Sequence, residues 1–527
     1  SSGSFLSQIV ALDLTIRQAE NYFKANNREK LNRLFYKDRN FDKLTLDTTY
    51  YLIGEKGSGK TTYCAYFCNN TVKNIHSYRY PLSVDDYNKI IQMKKDGKLN
   101  YTHYVTLWKA ILLTKLLATI KDSEIGFFNG HIIGNIRSLL NSYNFTKITM
   151  DSFSPVSFMD NIKFASGVSG KIGNDLATTE GNLSTETITQ KTVEQYVYED
   201  NWLVFINRIA DELSRLRLKN HHYLFIDGID TRPSDIPYEE YKECVYPLVR
   251  AVYDLNSDLL SRIKDRNKGR LQIVLLTRLD IFLNAGLSNA GSKISDNSAF
   301  LNWSFISEKD YPKTDLFSLV NNMLNSASKD NKEQSAWDNY FGFKIKRGQK
   351  DFDSFVYFLR LTTSKPRDFV KLLKIAKEQC QADYIENPTA EIIESDLFQR
   401  AYSTYFAESL RTALGFYYDR EQIKLLFDFI KSIKLRRFTY QQYQNAWINF
   451  YEKNALEEIF GNEFEVLELL FNFNLVAVIE DDSYYRWKYR ECTIANYDYS
   501  LQKNDLTPDT KFVFHWATEK EFGLYLK

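Results

Sequence analysis

The stretch "YLIGEKGSGKTTYCAYF", Tyr51 to Phe67, places Gly54, Gly57, Gly59 and Lys60 between an apolar run and a helix-forming segment. Leu44 to Ile53 reads as a strand entering the glycine loop, and Lys60 to Asn69 as the helix leaving it. Gly54 to Thr61 fits the Walker A pattern, in which successive backbone N–H groups turn inward around phosphate oxygens. Gly57 and Gly59 permit the backbone angles such a curl requires and leave room for the anion. Lys60 supplies a point charge between β- and γ-phosphates, Thr61 an oxygen for Mg²⁺, and the helix its positive end. The candidate nucleotide-binding residues are Gly54, Glu55, Lys56, Gly57, Ser58, Gly59, Lys60, Thr61 and Thr62. The bland alternative is a plain strand-to-helix turn.

A magnesium–nucleotide site needs a second acid, and "YLFIDGID" supplies it. Tyr223 to Ile226 reads as a buried strand, so Asp227 stands at its carboxyl end beside the loop, where it would share Mg²⁺ with Thr61. Asp230 is the candidate for orienting or deprotonating the attacking water. Otherwise these residues make an Asp-Gly turn and a helix cap. In "SKPRDF", Pro366 opens a helix and puts Arg367 in its first turn, where the helix dipole disfavours a cation unless an anion compensates it. Arg367 is therefore a candidate second sensor of the nucleotide, against the alternative of a surface arginine.

"DGID" resembles the Walker B segment of NACHT and related STAND signalling ATPases, a branch near AAA+ proteins, although Thr231 stands where that family usually has a second acid. From "GEKGSGKTT" through "FIDGIDTRP" and "LLTRLDIF" to "SKPRDFVKLL", the order of segments is similar to that of bacterial P-loop ATPases of the FunZ type. The resemblance implies an ATPase core with a lid and a winged helix. It also implies that Arg278, after the strand "QIVLLT", is a catalytic sensor reaching the γ-phosphate, alongside Lys60, Asp227 and Asp230. An arginine capping a strand end and pairing with an acid is the other reading of Arg278.

At 527 residues the chain is long enough for two or three domains. The expected fold class is α/β: a P-loop NTPase core over 5–303, with a parallel sheet, helices on both faces and a Ser/Thr/Gly-rich insertion at about 152–192. A helical lid follows over 304–403, and a winged-helix-like domain over 404–527. In the last, Val466 to Phe471 reads as a helix, Leu475 to Ile479 as a strand, and Tyr484 to Tyr489 as its hairpin partner across "EDDS". Further helices are expected over Phe5 to Phe35, Tyr87 to Lys95, Tyr104 to Ile120 and Val193 to Leu218.

Lys+Arg (68) and Asp+Glu (67) nearly cancel, so no global field points to nucleic acid or a membrane. No apolar run reaches membrane-spanning length, and five scattered cysteines without ligand spacing suit a reducing cytoplasm. The expected function is an ATP-dependent switch or regulator, with ATP and Mg²⁺ as ligands, slow hydrolysis, and a homo-oligomer or effector protein as partner. The resemblance suggests a place in bacterial defence. The alternative is a DNA-binding ATPase using the basic stretches "KLRRF" (Lys434 to Phe438) and "RWKYR" (Arg486 to Arg490), whose bland reading is one aromatic core face and one solvated basic face. Tyr36 and Phe41 are candidates for contacting adenine.

Overall fold

The computed structural model describes residues 23–24, 27–83, 88, 91, 95, 101–124, 130–142, 203–325, 335–481 and 484–525. The expected insertion at 152–192, the first part of the 5–35 helix, most of the 87–95 helix and the start of the 193–218 helix lie outside those residues.

A five-stranded parallel sheet organises the first half of the chain. Its strands are β1 (Tyr51–Gly54), β2 (Ile75–Pro81), β3 (His221–Asp227), β4 (Leu271–Thr277) and β5 (Ser298–Leu301), in the order β2-β3-β4-β1-β5. Every residue of β1, β3, β4 and β5 is buried, which is why these segments read as unbroken apolar runs rather than alternating ones. One face of the sheet, with Leu52, Tyr223, Phe225, Val274 and Leu276, packs on Tyr63, Cys64 and Phe67 of helix α1 (Lys60–Asn69). The other face, with Tyr51, Ile53, Leu224, Ile226, Ile273 and Leu275, is covered by α2 (Tyr101–Leu117) and α3 (Pro247–Asp254). Two buried hydrogen bonds fix that layer: Tyr51 Oη donates to the Val249 carbonyl at 2.6 Å, and Trp108 Nε1 to that of Cys244 at 2.9 Å.

The second half of the chain builds one continuous core, from Trp303 to Leu524. It holds the hairpin β6 (Lys344–Arg347) and β7 (Lys350–Asp353), then α4 (Pro366–Ala382) and α5 (Asp396–Leu414). The expected boundary at 403/404 falls inside α5, whose Phe398, Tyr402, Phe406 and Leu410 are buried in that core; the two expected domains share their interior. Beyond α5 come α6 (Arg420–Ile433), β8 (Arg437–Thr439), α7 (Tyr440–Asn449), α8 (Lys453–Phe460), α9 (Glu463–Asn472), β9 (Val476–Asp481), β10 (Tyr484–Arg486) and β11 (Lys511–Phe514). Helices α6, α7 and α9 each open on a capping box, at Asp419/Gln422, Thr439/Gln442 and Asn462/Glu465, a start signal local enough to be legible in sequence. The last four strands form an antiparallel sheet in the order β10-β9-β11-β8. The expected pairing of β9 with β10 is present, but at the sheet edge. The central place belongs to the unanticipated β11, whose Phe512 and Phe514 are fully buried.

His515 pins the end of β11 to the middle of the shared core. Its Nε2 donates to the Thr362 carbonyl at 2.8 Å, its Nδ1 accepts from the Ala517 amide at 3.1 Å, and its ring stacks on Phe406 at 4.5 Å. Complete burial pushes its pKa down to about 4, with the Thr362 carbonyl opposing. Below pH ~6.5 an unfolded chain takes up this proton while the folded one resists until about 4, so stability present at neutral pH drains across that window. Urea unfolding followed by tryptophan fluorescence at pH 7 and 4.5 should show His515 accounting for about 2–3 kcal/mol of the loss. His515→Gln, although less stable at pH 7, should lose correspondingly less on acidification.

Candidate functional site

The glycine loop leaves β1 at Gly54, where an added Cβ would lie 2.4 Å from Ser58 Oγ. The amide and hydroxyl of Ser58 both donate to the Glu55 carbonyl, at 3.0 and 2.6 Å, which closes the curl. Gly57 and Gly59 take φ of +88° and +104°, and Gly59 caps α1, whose first residues are Lys60, Thr61 and the half-buried Thr62. Two residues from beyond the parallel sheet hold the loop from outside. Trp303 Nε1 donates to the Ser58 carbonyl at 2.8 Å, and the Arg367 amide to that of Gly57 at 3.3 Å. Arg367 also lays its stem along Gly57, close enough that a Cβ there would meet its own Cβ at 3.0 Å.

Lys60 is buried, and its ammonium donates to the carbonyls of Gly54 (2.6 Å) and Glu55 (3.3 Å) and pairs with Asp230 Oδ2 at 2.8 Å. Thr61 Oγ1 donates to Asp227 Oδ2 at 3.0 Å. Both acids of "DGID" thus meet the head of α1, although β4 separates β3 from β1 in the sheet. Gly228 makes this possible: its φ is +107°, and a Cβ would come within 2.7 Å of the Leu82 carbonyl at the end of β2.

Arg79, on β2, is the residue the sequence reading missed. Its Nη2 and Nε donate to Asp227 Oδ2 at 3.1 and 3.3 Å. The parallel register sets Arg79 opposite Phe225, two residues short of Asp227 and on the same face of the sheet. Only the pairing of β2 with β3, remote in sequence, reveals that neighbour.

Arg278 follows β4, next to β1, and its amide donates to Asp230 Oδ1 at 3.1 Å. Its guanidinium donates to the Asp230 carbonyl through Nη1 at 3.4 Å. It binds Asp280 through Nε (3.0 Å) and Nη2 (2.9 Å) and lies 4.3 Å from the Phe416 ring. Burial works against this charge, but Asp280 and then Asp230 outweigh it and raise the Arg278 pKa above its already high value. Tyr417 donates to the same Asp280 carboxylate, while Arg232 donates to the carbonyls of Gly415 (2.9 Å) and Phe416 (2.7 Å). The segment after α5 is thereby clamped to the end of the parallel sheet.

Lys56, Lys60, Lys365, Arg278 and Arg367 stand around the loop together with Glu55, Asp230 and Asp280. Burial lowers the Lys56 pKa, and Arg367 and Arg278 lower it further; burial raises that of Glu55, with Asp280 adding to the shift. Such a cluster suits a polyanion. Among the described residues no group of three or more His, Cys, Asp or Glu side chains can hold a metal ion. A cation beside Thr61 and Asp227 would take its remaining oxygens from phosphate and water, as Mg²⁺ does. Tyr36 and Phe41 lie off the loop: Tyr36 Oη donates to Asp315 at 2.9 Å, and Phe41 is buried against Phe67.

The basic stretches are largely engaged inside the fold. Arg436 pairs with Glu519, Arg486 with Glu480 and Arg490 with Glu308, and Lys488 donates to the Tyr499 carbonyl, while Arg437 remains exposed on β8. No helix among the described residues is long and apolar enough to cross a membrane. Comparison of the chain with protein-family models, curated proteins and solved structures gave no match.

The glycines separate two kinds of cost. A Cβ at Gly59 meets nothing within 4 Å, so Gly59→Ala should cost about 1–2 kcal/mol from left-handed strain alone. At Gly228 the same strain adds to a backbone clash, and Gly228→Ala should cost about 3 kcal/mol or more in urea unfolding.

Proposed function

We propose that this chain is a P-loop ATPase that works as a nucleotide-dependent switch. The observation that carries the reading is the pair of contacts at the head of α1: Lys60 to Asp230 and Thr61 to Asp227. They bring a Walker A loop and the acids of a Walker B segment into one site, as a magnesium–nucleotide complex requires. With nucleotide bound, the loop amides, Lys60 and Arg367 would hold the phosphates, and Thr61 and Asp227 would hold Mg²⁺, whose chemistry there would be charge neutralisation at the phosphates. The order β2-β3-β4-β1-β5, with a strand between those bearing the two motifs, agrees with the AAA+ and STAND resemblance. The placing of β11 between β9 and β8 is the sheet order of a winged helix and supports the C-terminal part of the same reading, with α8 and β10 as additions to that pattern.

The switch follows from what each side chain must release. Phosphate arriving at the loop competes with Asp230 for Lys60 and frees that carboxylate to orient water. A γ-phosphate drawing on Arg278 competes with Asp280 and Phe416, and so with the clamp on the segment after α5. Because Arg367 and Trp303 touch the loop backbone directly, a shift there is transmitted to the second core. A place in bacterial defence belongs to this proposal through the resemblance.

Isothermal titration with ATP and Mg²⁺ tests the assignment. Lys60→Ala should weaken binding at least about tenfold, consistent with loss of a charged hydrogen bond. Asp230→Asn should instead tighten ATP binding several-fold, by removing the carboxylate that competes for Lys60, while lowering turnover. Equal affinities in all three proteins would overturn the reading.

Arg278→Ala gives a second test, read as domain motion. If the clamp is nucleotide-sensitive, proteolysis at the 415–418 segment should accelerate in this variant without ATP and in the wild type with ATP. Identical cleavage throughout would remove the switch while leaving ATP binding untouched.

A further inference from the structure

The two basic stretches that the nucleotide site does not use meet at the junction of the hairpin β6–β7, the helix Ser354–Leu361 and the C-terminal sheet. Four guanidinium groups converge there on two carboxylates. Glu519 pairs with Arg347 and with Arg436 (2.5 Å), and Glu308 with Arg360 (3.1 Å) and Arg490 (3.5 Å). The Trp516 ring ties both sets together, with Arg347, Arg360 and Arg436 at 3.8, 5.3 and 5.7 Å from its centroid. Among the described residues these arginines have ion pairs with no other acid, so the cluster carries two positive charges in excess.

That excess is not at the surface. The side chains of Arg436 and Arg490 are only 7% and 8% exposed, and the buried Nε of Arg490 has no hydrogen-bond partner. Burial, with Arg347 and Arg437 adding to it against Glu519, pulls the Arg436 pKa down to about 10. Arg278, equally buried, is shifted upward because acids outnumber cations around it. Four arginines on two carboxylates leave the Trp516 cluster short of negative charge. Arg360, Arg490 and Glu308 also line a crevice walled by Tyr485, Trp487 and Trp516. It measures about 410 Å³ with its solvent-open part, of which about 20 Å³ admits the centre of a water molecule. A single ordered water needs roughly 10–15 Å³ by that measure, so the neck accepts a small ion and excludes a drug-sized ligand.

The geometry points to an oxyanion site at this crevice, taking a phosphate-sized group, free or as the terminal phosphoryl of a monoester, on Arg490 and Arg360. Arginine forks match such tetrahedral oxyanions, and the aromatic wall strengthens the interaction by excluding water. Because the crevice joins the helix Ser354–Leu361 to the C-terminal sheet, an occupant would tighten that junction. This site is independent of the glycine loop.

The test uses the full-length Lys60→Ala protein, in which the loop's own phosphate affinity is disabled. Inorganic phosphate and AMP are titrated in separate arms, read by tryptophan fluorescence and by thermal unfolding. Saturable binding with a raised Tm is expected in at least one arm; a tighter response to AMP assigns a monoester, and a tighter response to phosphate the free ion. Adding Arg490→Gln should weaken binding about tenfold, the scale of a lost charged hydrogen bond. Adding Glu308→Gln should strengthen it several-fold, because the carboxylate competes with the ligand for the same arginines. Merely structural contacts would make both variants worse. Absence of saturable binding in both arms, or weakening by Glu308→Gln equal to that by Arg490→Gln, overturns the proposal.

Discussion

A buried ammonium cannot remain without oxygen around it, and the structure is arranged about that requirement at Lys60. The side chain is 7% exposed, so its charge must be met within the fold. Two carbonyls of the curled loop and the Asp230 carboxylate meet it. Satisfying Lys60 therefore requires β1, the loop, α1 and the end of β3 to stand in one relative position. That position is what brings Thr61 to Asp227.

The second core is coupled to this corner through main-chain and ring contacts more than through a broad apolar interface. Trp303 and Arg367 hold carbonyls of the loop itself, and Phe416 and Tyr417 hold the Arg278–Asp280 pair. Such contacts are few, directional and bound to groups a polyanion would compete for. By contrast, most buried apolar residues between Trp303 and Leu524 share one dense interior, while Phe416 and Cys492 pack into the core of the parallel-sheet half.

Much of the parallel sheet was legible because its strands are buried on both faces and carry an apolar run as a direct result. "YLFI" and "IVLLT" are examples. The capping boxes at Asp419, Thr439 and Asn462 are similarly local signals, although of these helices the sequence reading named only that over Val466 to Phe471. Strand β11 was not legible. It is four residues long, and it becomes a central strand only because β8 and β9, tens of residues earlier, leave a gap between them. The boundary at 403/404 was also invisible, since a change in helix pattern along the chain does not reveal that α5 is buried with residues from both sides of it.

The sequence by itself determined the chemistry of the loop. Positive φ is tolerated by glycine, Lys60 and Thr61 necessarily open the helix that follows, and an acid after an apolar strand necessarily stands at its end. These are consequences of covalent neighbours. The tertiary structure decided which charges face one another: Asp230 on Lys60, Arg79 on Asp227, Asp280 rather than the loop on Arg278, and four arginines on two glutamates around Trp516. Most of those partners lie far apart along the chain and meet only because strand order, register and helix packing set their separation and burial, and Coulomb interactions at a few ångströms depend on that separation and on the local dielectric.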